Sequence, residues 1–91
     1  MILELMKKLS GSPSPREVFG RNLRLVRRMK DVSQERLALE ANLSRTYVSE
    51  VERGVRNVSI DNMGLLAEAL EVPLSDLVDP DLFKVMSQRL G

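Results

Sequence analysis

The residues between Gln34 and Asn57 that could do chemistry are suited to hydrogen bonding, not to making or breaking bonds. Arg45, Thr46, Ser49, Glu50 and Arg53 recur at the spacing of one exposed helix face, with Gln34 before them and Arg56 and Asn57 after. This face mixes short and long donors and acceptors near a helix start, where a merely structural helix would more often pair lysines with glutamates. Such a face can read the edges of nucleic-acid bases. Bond-making chemistry has little support: the 91 residues include no cysteine and no histidine, so thiolate nucleophiles, imidazole bases and the usual zinc ligands are all missing. The best carboxylate pair, Glu50 and Glu52, lies two residues apart on one helix and so points to different sides of it. We expect no enzyme and no cofactor.

The elements that must hold these residues are two short helices meeting at a turn. Leu37, Ala38 and Ala41 form the buried stripe of the first, and Val48 and Val51 that of the second. Asn42 tolerates a left-handed backbone, Leu43 plugs the corner and Ser44 is a good N-cap. Ala38 is placed where a close crossing needs a short side chain.

Around this hairpin the chain reads as a small helical bundle. Ser14, Pro15 and Glu17 open a helix with a cap, a first-position proline and a capping-box acid, and it should run to about Lys30 with Phe19, Leu23, Val26 and Met29 buried. Asp31 sits in the following turn and Ser33 caps the next helix. Gly54 ends the recognition helix, and Ser59 caps a fourth whose core stripe is Ile60, Met63, Leu66, Ala67 and Leu70. A short helix over Ser75 to Val78 should close the bundle through Leu74, Leu77 and Val78. Beyond Asp79 and Pro80, Leu82, Phe83, Val85, Met86 and Leu90 predict a sixth helix. Ile2, Leu5, Met6 and Leu9 have amphipathic helical spacing, and two readings stay open for residues 1–10: a frayed leader, or a short N-terminal helix docked on the domain or a partner subunit.

The net charge is only +1, but it is unevenly spread. From Arg16 to Asn57 there are ten basic and six acidic residues, whereas from Val58 to Gly91 there are two basic and six acidic. The first part could face phosphate and the second should face away from it. MILELMKKLS has neither a leading basic region nor a long apolar run, so no signal peptide or membrane span is expected. A cysteine-free chain of this kind fits a cytoplasmic protein.

The sequence resembles the phage-repressor-like, or XRE, helix-turn-helix family, which includes lambda-type repressors. The resemblance runs from about Phe19 to Val78 and rests on four segments: Leu23 to Arg27, Val32 to Ala38, Leu43 to Gly54 and Met63 to Pro73. It implies an all-α fold, a lambda-repressor-like five-helix bundle containing the helix-turn-helix, to which the apolar residues after Pro80 add an extra C-terminal helix. The expected division is an N-terminal extension and linker over 1–13, a DNA-binding domain over 14–79, and a C-terminal helix over 80–91 used for dimerisation.

For the residues, the resemblance implies that the third helix lies in the major groove of double-stranded DNA. Arg45 and Thr46 would hold the first base-reading positions, with Ser49 and Glu50 one turn further on. Gln34 would bond a phosphate, joined on the sugar-phosphate backbone by Ser44, Tyr47, Arg53, Arg56 and Asn57. Arg27 would pair with Glu52 as a structural bond between the first and third helices. Separately from the resemblance, the apolar residues left over once the five-helix core is filled, Leu82, Phe83, Met86 and Leu90, are expected to form a homodimer interface, with Ile2, Leu5 and Leu9 as candidates to join them. The function implied is a sequence-specific transcriptional regulator, a repressor on an inverted-repeat operator. The alternative is an antitoxin or protein-interaction module using the same bundle to bind a partner protein.

Overall fold

In a computed structural model of the chain, which describes residue 2 and residues 12–90, six helices follow one another: α1 (Pro15–Met29), α2 (Gln34–Ala41), α3 (Arg45–Glu52), α4 (Ile60–Ala69), α5 (Leu74–Leu77) and α6 (Leu82–Leu90). The described residues contain no strand. Among the described residues, no helix is long and apolar enough to cross a membrane. The docked-helix and leader readings of residues 1–10 fall almost entirely outside the described part.

Serine sets the start of each of the first four helices. Ser14 Oγ accepts from the Glu17 amide at 3.3 Å while Glu17 Oε1 accepts from the Ser14 amide at 3.1 Å, closing a capping box. These bonds from the Ser14 backbone and side chain hold the Glu17 carboxyl below its ordinary pKa. Ser33, Ser44 and Ser59 each accept from the amide three residues on, at 3.0, 3.0 and 3.1 Å. The turns use left-handed residues: Asp31, Asn42 and Glu71 have φ of 57°, 58° and 58°, and Gly54 has 73°. Sequence reasoning found the first two; it passed over Glu71, because glutamate has no special tolerance for that conformation.

The core is built from Phe19, Leu23 and Val26 of α1, Leu37, Ala38 and Ala41 of α2, Val48 and Val51 of α3, and Leu66, Ala67 and Leu70 from α4 and its cap, closed by Leu77 and Leu82. Of the expected core residues, Met63 and Leu74 pack half-buried against its edge and three lie outside it. Met29, Ile60 and Val78 are exposed, at the last residue of α1, the first of α4 and the cap after α5, where the neighbouring helix no longer covers the apolar stripe.

Leu82 requires the opposite correction. Expected at a dimer interface, it is 1% exposed and sits inside the core. A leucine buried within its own subunit has no surface left to offer a second one, and that burial contributes about 1.5 to 3 kcal/mol to folding. Helix α6 is thus anchored to the bundle, and Arg21 adds a bond to the Pro80 carbonyl at 3.2 Å.

Two residues that sequence reasoning passed over fix α1 against its neighbours. Gly20 packs directly on the α3 backbone, where a Cβ would overlap the Val51 carbonyl oxygen and stand 3.0 Å from that of Glu52. Asn22 is buried, and its amide donates to the carbonyls of Asp76, Leu77 and Asp79 at 3.4, 3.1 and 2.7 Å. One side chain thereby ties α1 to the end of α5 and to the turn that follows it.

Candidate nucleic-acid interface

The recognition elements hang on one buried carboxylate. Glu52, at the C-terminal end of α3, accepts from Arg27 Nε at 2.6 Å on Oε2, and on Oε1 from Arg27 Nη2 and Gln34 Nε2, each at 3.0 Å. Arg27 Nη1 also donates to the Val32 carbonyl in the turn before α2, at 2.9 Å. The hydrogen bond to Glu52 raises the Arg27 pKa above its ordinary value, outweighing the opposing effect of burial. Because the arginine fork is planar and bidentate, it fixes direction as well as distance. One residue of α3 therefore sets where α1, the turn and the start of α2 lie relative to the helix that could enter a groove.

Gln34 is half-buried and already bonded to Glu52. Its Nε2 carries a second hydrogen, so the same side chain can still donate to a phosphate oxygen while the clamp orients it. At the other end of α3, Ser44 uses its hydroxyl oxygen as the cap. Arg45 and Thr46 stand fully on the outside in the first turn, while Ser49 and Glu50 are half-covered one turn later.

The loop after α3 is tied down more tightly than its sequence suggests. The Arg56 guanidinium lies 4.9 Å from the centre of the Tyr47 ring and 3.6 Å from a Glu50 oxygen. Asn62 donates to the Tyr47 hydroxyl at 3.0 Å, and Arg16 Nη2 donates to Asn57 Oδ1 at 2.5 Å. Glu50 thus faces Arg56 one turn along α3 from Thr46, and Tyr47 and Asn57 organise the loop. Arg53 is exposed at the α3 C-cap. Asn62 was not among the expected residues; it falls in the first turn of α4, and nothing in the sequence says which neighbour it meets.

Of the apolar surface expected to pair two copies, Phe83 is 68% exposed and Met86 is half-buried against the core. The Leu90 side chain lies outside the described residues.

Comparison with known proteins agrees with this geometry. A family model described as helix-turn-helix matches residues 23–77. The control protein C.BamHI of Bacillus amyloliquefaciens is 49% identical over 65 residues, spanning 70% of this chain and 80% of that protein. Among solved structures, the restriction-modification controller protein C.AhdI from Aeromonas hydrophila aligns with a TM-score of 0.67 at 47% identity, covering 68% of this chain and 94% of its own. The hypothetical transcription factor NHTF from Neisseria aligns at 0.74 with 40% identity, covering 80% and 84%. With α2 and α3 forming the helix-turn-helix and the matched region taking in most of the bundle, the chain belongs to the XRE-type helix-turn-helix family of DNA-binding transcriptional regulators.

Proposed function

We propose that the protein binds a specific double-stranded operator as a homodimer in the cytoplasm, represses transcription by occupying it, and serves in the control of a restriction-modification system. The observation that carries the reading is the asymmetry of α3: its C-terminal Glu52 is locked to α1 and α2, while Arg45 and Thr46 project free at its other end. A helix fixed at one end and bare at the other can enter a major groove as a rigid probe. Arg45 suits guanine O6 and N7, and Thr46 a thymine methyl. Ser49 and Glu50 lie one turn on, with Gln34, Ser44, Tyr47, Arg53, Arg56 and Asn57 towards the backbone. The restriction-modification context is supported by the likeness to the restriction-modification controller protein C.AhdI.

Dimerisation is argued from specificity. One recognition helix reads only a few base pairs, too few to select one site against a genome of competitors. With Leu82 assigned to the core, Phe83 and its half-buried neighbour Met86 carry the pairing surface together with Leu90, whose side chain is outside the described part. Removing everything after Pro80 would strip the core as well as the interface, so a point change at Phe83 is the cleaner perturbation.

The test of direct readout is Arg45→Ala. It should weaken binding to the preferred sequence by about 1 to 3 kcal/mol and relax preference at one base pair per half-site. Titrations against a panel of single-base variants of the selected sequence check this; an unchanged preference would remove Arg45 from the readout.

A further inference from the structure

A second basic feature lies beside the recognition helix and is made largely by α1. Arg24 and Arg28, one turn apart on α1, line an open cleft of about 420 Å³ together with Arg45, the Ser33 and Gln34 end of α2, and Glu35. Arg27 also borders it but is spent on Glu52. Among the described residues, Arg24, Arg28 and Arg45 have no hydrogen-bonding or ion-pair partner, and Glu35 is the one acid on the cleft wall. Three guanidinium groups converging on one acid leave an excess of positive charge, and the N-terminal end of α2 adds to it. Such an arrangement is unfavourable alone and favours an anion. Its shape matters too, because guanidinium groups present forked donors matched to phosphate oxygens.

We propose that this cleft is a phosphodiester site, in which Arg24 and Arg28 grip the DNA backbone beside the base pair that Arg45 reads. The proposal rests on the DNA-binding reading and extends it to α1. Arg45 belongs to both surfaces: it lines the cleft and leads the exposed turn of α3. A phosphate seated in the cleft would therefore bring a base edge within reach of the recognition helix. Backbone contacts of this kind set register and orientation and carry no sequence information of their own.

The experiment is a salt titration of the full chain against a duplex recovered by selection and against a random-sequence duplex of equal length. The Arg24→Gln, Arg28→Gln double variant should bind both more weakly, with the slope of log K against log salt shallower by about 0.9 per half-site. Its preferred sequence should not change. Arg24→Lys, Arg28→Lys should restore the slope, because the charges return. Both positions are exposed and the change removes like-charge repulsion, so the melting temperature should not fall below the wild-type value. A double variant with unaltered slope and affinity overturns the cleft while leaving the DNA reading intact; a wild-type chain that binds neither duplex overturns both.

Discussion

Replacing Gly20 by alanine should destabilise the fold by about 2 kcal/mol, although it adds a single methyl group to a helix. On intrinsic propensity alone the change would favour α1 by about 1 kcal/mol. Packing decides against it. The new Cβ would overlap the Val51 carbonyl oxygen and press on that of Glu52, and neither is the tip of a flexible side chain. Relief requires α1 and α3 to separate, and overpacking that shifts backbone costs about 1 to 3 kcal/mol or more. The movement would also stretch the Arg27 to Glu52 bonds, which span the same two helices. Thermal unfolding followed by circular dichroism checks this, with a large fall in melting temperature expected. A rise would mean that the helices do not touch at Gly20.

Glu52→Gln should cost about 3 to 5 kcal/mol, because it removes one partner of a buried pair and strands the other. The Arg27 and Glu52 side chains are 11% and 2% exposed, so little water is available to replace the lost carboxylate. Glutamine offers one acceptor oxygen where three donors now share two, leaving Arg27 or Gln34 unsatisfied. The loss should appear in unfolding curves without DNA. Replacing Arg27 and Glu52 together by methionine should cost less than Glu52→Gln alone, since no charge is then left buried. Equal costs for the double and single changes would show that the pair does not act as a unit.

Some of this structure was open to reading in the sequence because it is local. Serine caps, left-handed Asp31 and Asn42, and the stripes of Leu37, Ala38, Val48 and Val51 are set by a few neighbouring residues and came out as expected. What was missed depends on the neighbours across the bundle. Periodicity gives the face of a helix and says nothing of how far the opposing helix extends, which is why Met29, Ile60 and Val78 were misplaced. Leu82 and Phe83 are adjacent apolar residues of one helix, and only the gap beside α1 decides that the first is core and the second surface. Gly20 and Asn22 did leave signals: a glycine inside a strong helical pattern, and an asparagine on the stripe of Phe19, Leu23 and Val26. Both signals say that something packs closely there without saying what. In the interface, residue types were legible but their partners were not: the bonds joining Arg56 to Tyr47 and Glu50, and Gln34 to Glu52, connect parts of the chain whose proximity only the fold creates.

Selection of bound fragments from random double-stranded DNA by the intact chain should enrich an inverted repeat whose half-sites are centred about 10 to 10.5 base pairs apart, the spacing that two recognition helices related by a two-fold axis would impose. Recovery of fragments with no shared sequence would rule out a sequence-specific dimer on an operator.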